Sequence, residues 1–163
     1  MSELEVRNYI KGLIDKAKKA QAVAESFTQE DVRHYAACIG WLAIKNAEKW
    51  AKFNYSETKM GDVQSKINRI TTRARGLTND LKTAKTVGVI EVDEKKQLIK
   101  IGKPVGIVGA LVPMTVPAGV VFMGMMNALM GRNAMICAPH PRAEKTVHMV
   151  VNDIRNLFKR MGI

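Results

Sequence analysis

The chain has 163 residues, enough for one domain with a real core. Apolar residues make up 47% and charged residues 25%, a globular rather than a disordered composition. The net charge of +11 is spread along the chain, no basic run exceeds two residues and aromatics are 6%, which argues against the basic stripe with stacking aromatics that a nucleic-acid groove needs.

Ser2 and Glu5 stand at capping-box spacing, and behind them Val6, Tyr9, Ile10, Leu13, Ile14, Ala17 and Ala20 recur at helical period. An amphipathic helix to about residue 25 is expected, with its apolar stripe packed on the core rather than laid on a membrane. Thr28 is the next N-cap, with Phe27 and Val32 at staple positions and acidic residues in the first turn. The spacing predicts a helix from there to about Lys52, and another from about Glu57 to Asp80 with Val63, Ile67, Ile70, Ala74 and Leu77 inward. Thr86–Val92 and Gln97–Ile101 are rich in β-branched residues and flank a polar turn, which predicts a hairpin. Such a hairpin is marginal alone and must pair or pack with something.

Residues 104–131 carry no charge, a length that would allow a membrane span. Pro113, Pro117 and four glycines break it instead into a buried strand, Val105–Val112, and a helix from Pro117 to about Met130, ended by Gly131. That helix is apolar almost all round, so it should be buried, although an incomplete sheet would leave it short of cover. Asn133–Cys137 is a second strand, and Ala143, Val147, Val150, Ile154, Leu157 and Met161 mark a last amphipathic helix. Strand, helix, strand and helix in succession are the start of a parallel, doubly wound sheet.

In such sheets ligands bind beyond the carboxyl ends of the strands. Two segments fall there, Val112–Pro117 and Ala138–Arg142, each before a helix N-terminus whose N–H groups suit an anion. No glycine-rich dinucleotide fingerprint and no Walker loop is present. The first residues lack the pattern of a secretory signal, so Cys38 and Cys137 are expected to be reduced thiols in a cytoplasmic protein. No Cys/His cluster has metal-ligand spacing, so no metal is expected.

The run from Lys103 to Pro117 resembles the segment that opens the cofactor domain of aldehyde dehydrogenases. The run from Gly131 to Ala143, with its Pro-His-Pro-Arg block, is similar to the CoA-acylating branch of that family. Glu57–Gly61 resembles the family's Glu-Thr-x-Met-Gly segment, and Thr86–Ile90 begins a hairpin like its oligomerisation arm. The resemblance implies an α/β protein with N-terminal helices, a β-hairpin and the first half of a doubly wound, Rossmann-like sheet: an incomplete aldehyde dehydrogenase fold. Residues 1–85 would be the helical section, 86–102 the hairpin of the oligomerisation arm, and 103–163 the first half of the NAD(P)- and CoA-binding domain.

The function so implied is oxidation of a small aldehyde with NAD or NADP, and CoA as co-substrate, to acyl-CoA through a cysteine thioester in a homo-oligomer, a dimer or a tetramer. Thr115 aligns with the family's oxyanion-binding Asn, and its hydroxyl is the candidate donor. Val112, Pro113 and Met114 would line the nicotinamide side, while Pro139, His140 and Arg142 would lie near adenosine or a phosphate. Ala138 stands where ordinary aldehyde dehydrogenases carry a ribose-binding Lys. Neither cysteine matches the family's nucleophile motif, so the catalytic Cys is expected outside these residues. The alternative is a stand-alone basic module that binds nucleic acid or an acidic partner or serves as structure, with no oxidoreductase role.

Overall fold

The computed structural model describes residues 2–163. Helix α1, Glu3–Glu25, opens on the expected capping box: the Ser2 hydroxyl accepts the Glu5 N–H, and the Glu5 carboxylate accepts the Ser2 N–H. Helix α2, Gln29–Lys45, opens on a second box made by Thr28 and Asp31.

The next two helices depart from the expected boundaries. The Asn46 backbone N–H and side-chain amide both return to the Leu42 carbonyl, at 2.9 and 3.0 Å, and α2 ends there. Helix α3 is Ala47–Thr58, closed by Lys59 in the left-handed region at φ 55°. Helix α4 is Val63–Leu81, capped by the Asp62 side chain. A short polar side chain that bonds its own helix offers the backbone an alternative to continuing. The apolar period runs unbroken across Asn46, so period alone does not reveal the break.

Strands β1, Gly88–Asp93, and β2, Leu98–Gly102, form the expected antiparallel hairpin, with a bulge between Val89 and Glu91. Val89, Val92, Leu98, Ile99 and Ile101 are each more than half exposed on it. Strand β3, Ile107–Val112, is followed by α5, Pro117–Met130, then β4, Ala134–Pro139, a 3-10 turn at Pro141–Ala143, and α6, Glu144–Arg160. β3 and β4 are parallel and in register from Ile107 beside Ala134 to Val112 beside Pro139. The side-chain oxygen Oδ1 of buried Asn133 fixes the start of β3 by accepting the N–H groups of Val105 and Gly106 at 2.7 and 2.9 Å. Gly106 has φ 104°, a conformation open in practice only to glycine.

α5 runs through the middle of the core. Val121, Phe122, Met126 and Leu129 are buried with Ile39 and Ala43 of α2, Trp50 of α3, Ile70 and Ala74 of α4, and Val147 and Val150 of α6. The helix is therefore covered within the chain itself, contrary to expectation, because α2, α4 and α6 close around it. The α1 stripe is also corrected. Leu4, Val6, Tyr9 and Ile10 are exposed, and only Ala17 and Ala24 are buried. A helix of 23 residues is about 35 Å long, so its first half runs past the short strands that its second half rests on. Among the described residues no helix is long and apolar enough to cross a membrane.

Candidate functional site

The parallel register places the two expected segments side by side at the carboxyl ends of β3 and β4. Leu111 lies beside Ala138, and the Val112 carbonyl accepts the His140 N–H at 2.8 Å. Pro113, Thr115, Ala138, His140 and Arg142 are exposed along this edge, with Met114 and Pro139 half-buried. Val112 is not at the surface: its side chain joins the core and its carbonyl is taken by His140, so it positions the edge from beneath. His140 Nδ1 accepts the Arg142 N–H at 3.1 Å and caps the 3-10 turn, a role that leaves the imidazole proton on Nε2. The Arg142 guanidinium reaches back toward the Thr58 carbonyl at 3.5 Å.

The two helix N-termini at this edge differ. Glu57, at the end of α3, sets its carboxylate against the first turn of α6 and accepts the N–H groups of Lys145 and Thr146 at 2.9 and 2.8 Å, together with the Thr146 hydroxyl. Burial alone would raise the Glu57 pKa, but these three hydrogen bonds and the Lys145 charge outweigh it and hold the carboxyl below its usual range. The anion at the α6 N-terminus is thus supplied by the protein. The Glu57–Gly61 segment and the Pro-His-Pro-Arg block, far apart in sequence, meet here. At α5 no side chain caps the N-terminus: Val116 holds the cap position and Pro117 the first turn.

Beside that uncapped end lies a small, open cleft with about 30 Å³ of room for solvent. Thr115, Pro117 and Gly119 line one side, and Asn54, Lys66, Arg69 and Arg73 the other. Lys66 Nζ donates to Asn54 Oδ1 at 2.5 Å, and burial, then the Arg69 charge, holds the Lys66 pKa below its usual value. Asn54 is 4% exposed, and its Nδ2 has no partner among the described residues. Sequence reading placed Thr115 here but missed Asn54, Lys66, Arg69 and Arg73. The available signal was a basic residue at every third or fourth position on one face of α4, beside the apolar stripe.

Neither thiol is activated. Burial raises the pKa of Cys38, whose Sγ lies 3.8 Å from His34 Nε2, and also that of Cys137, despite the nearby Arg155 charge. A raised thiol pKa leaves little thiolate, and the thiolate is the nucleophile. Among the described residues there is no group of His, Cys, Asp or Glu that could hold a metal ion.

Comparison with known proteins gives this edge its family. A sulfoacetaldehyde dehydrogenase from Acholeplasma sp is 38% identical over 96% of the chain and 32% of its own length. A succinate-semialdehyde dehydrogenase (acetylating) from Clostridium kluyveri is 36% identical over 94% of the chain and 34% of its own length. The crystal structure of an acetylating aldehyde dehydrogenase from Geobacillus thermoglucosidasius superposes with a TM-score of 0.91 at 28% identity, covering 99% of the chain and 36% of that protein. The chain thus spans about a third of the length of the relatives it matches. These comparisons lend no support to the alternative of a stand-alone basic module. The model of the aldehyde dehydrogenase family matches residues 5–158, and the chain belongs to that family.

Proposed function

We propose that this chain is the N-terminal part of a CoA-acylating aldehyde dehydrogenase, with the nucleophilic cysteine on residues outside it. The observation that carries the reading is the parallel β3–β4 pair, whose carboxyl ends bring Pro113–Thr115 beside Ala138–Arg142 in a chain matched to the family almost end to end. The residues at that edge fit a dinucleotide or CoA. Pro113, Ala138 and His140 are exposed there with the cationic Arg142, and no bulky side chain at 138 stands in the way.

In the reaction so proposed, a cysteine thiolate adds to the aldehyde carbonyl, the carbonyl oxygen takes the negative charge, and CoA thiolate later displaces the enzyme sulfur. NAD or NADP supplies the hydride acceptor when bound. The Thr115 hydroxyl is the donor proposed for the developing oxyanion, in the place of the Asn of ordinary aldehyde dehydrogenases. His140 and Arg142 are proposed to face adenosine or a phosphate. Residues 86–102 are proposed as part of an oligomerisation arm, because the exposed apolar side chains of the hairpin need a partner. The reading places the protein in the cytoplasm as a homo-oligomer.

The test is to incubate the full-length protein with a short aldehyde, NAD or NADP, and CoA, while following reduced nicotinamide and the product thioester. CoA-dependent formation of both is expected. Formation of a free carboxylic acid without any need for CoA contradicts the acylating assignment.

A further inference from the structure

The geometry points to an oxyanion subsite in the cleft at the N-terminus of α5, which makes the substrate an aldehyde that carries its own carboxylate or sulfonate. The inference rests on the aldehyde-oxidising reading above and narrows its substrate class.

Three independent features meet in this cleft. The first is the helix end. α5 has 14 residues, no side chain caps it, and the N–H groups of Ala118 and Gly119 are left to another acceptor. An uncapped helix N-terminus favours negative charge through its N–H groups and its dipole. The contrast with α6 sharpens the point: Glu57 fills that helix end and nothing comparable fills this one.

The second feature is Asn54. Its Oδ1 is fixed by the Lys66 ammonium, which can only donate, so the side-chain N–H group is the one left without a partner. A buried donor without an acceptor is costly, and native structures contain few of them. This one lines the cleft and is satisfied by an acceptor placed in it.

The third is the charge. Lys66, Arg69 and Arg73 line the cleft, and none is in an ion pair among the described residues. Arginine matches the planar, two-oxygen face of a carboxylate or sulfonate. The rest of the wall is apolar, from Trp50, Ala51 and Ile70, and suits a short carbon chain. Thr115, the residue proposed to meet the carbonyl oxygen, lines the same cleft, so an aldehyde anchored here by its far end has its reacting end within the same site.

Free phosphate would bring similar oxyanion chemistry, so the experiment separates the two. In the full-length protein, kcat/KM is measured for succinate semialdehyde and sulfoacetaldehyde and for the neutral butanal and propanal. The anionic aldehydes should be preferred, and the combined Arg69→Gln, Arg73→Gln variant should lower the anionic-to-neutral ratio by roughly 10- to 100-fold, the range for losing hydrogen bonds to a charged group. Arg75→Gln, on the same helix but lining a different depression, should leave the ratio as it is. Thermal shifts with succinate, butyramide and inorganic phosphate give a readout that needs no turnover. Succinate should raise Tm more than the other two, and the arginine variant should lose that rise. A ratio unmoved by the arginine variant, or a Tm rise with phosphate that at least equals that with succinate and is lost in the arginine variant, overturns the subsite. If no aldehyde supports nicotinamide reduction, the reaction reading falls, and the thermal shifts alone still decide whether the cleft takes a carboxylate.

Discussion

Glu57 and Thr146 are 89 residues apart, yet one carboxylate oxygen of Glu57 takes both the backbone N–H and the hydroxyl of Thr146 while the other takes the Lys145 N–H. The end of α3 thereby caps the start of α6 and fixes the Pro141–Ala143 turn between β4 and α6. Thr146 is fully buried, so its hydroxyl has no water to turn to. Glu57→Ala should cost about 1.5–3 kcal/mol, the range for hydrogen bonds to a charged group. In a chain of this size that is a fall in Tm of several degrees, which thermal unfolding followed by circular dichroism will show.

The same contact sets a pH dependence. The Glu57 carboxyl is held below its ordinary value because the hydrogen bonds from Thr146 and Lys145 outweigh burial. A carboxyl lowered in the folded state adds stability above its unfolded pKa, about 4.3 for glutamate, and that stability fades as pH falls through the lower folded value. The stability gap between the native chain and Glu57→Gln should therefore be full at neutral pH and shrink as the solution is acidified below about 4. A gap unchanged across that window in urea titrations contradicts ionisation as the source.

Gly40 of α2 packs directly against Thr78 of α4. A methyl group there would overlap Thr78 Oγ1, itself a buried oxygen without a partner among the described residues. Alanine gains about 1 kcal/mol over glycine as a helix former, but forcing atoms into a packed contact costs about 1–3 kcal/mol. Gly40→Ala alone should therefore destabilise or at best break even. Combined with Thr78→Ala, which removes both the clash and the unpaired oxygen, it should be more stable than either single variant. A double-mutant cycle on chemical unfolding free energies tests the coupling.

Arg142 has two roles to separate. Its guanidinium approaches the Thr58 carbonyl at 3.5 Å, a long contact, and is otherwise exposed at the edge proposed for cofactor phosphate. In the full-length enzyme, Arg142→Ala should raise the apparent KM for NAD(P) or CoA by roughly 10- to 150-fold and leave the aldehyde KM close to its native value. Arg142→Lys should recover part of the loss, since lysine lacks the planar fork. If all three KM values stay unchanged while Tm falls, Arg142 serves the Thr58 contact only.

Most of the fold is legible in the residues because its signals are local. Ser2, Thr28, Pro117 and Gly131 announce helix ends, and the change of period near Thr86 announces strands. The break at Asn46 is not legible, because the apolar stripe continues through it and only a side-chain bond to Leu42 marks the end. Long-range relations are hidden for a different reason. That Glu57 caps α6, and that Asn54 and the basic face of α4 surround the α5 N-terminus, depends on how α3 and α4 pack, which no local spacing encodes. The exposed stripe of α1 shows the converse limit: helical period predicts an apolar face but not what covers it.

We propose that these residues build the cofactor side of an acylating dehydrogenase and that its nucleophile lies outside them. The direct measurement is to assay the 163-residue chain alone with a short aldehyde, CoA and NAD or NADP, following reduced nicotinamide. No turnover is expected, since burial raises the pKa of both Cys38 and Cys137. Turnover by the chain alone that disappears with Cys38→Ser or Cys137→Ser would contradict it.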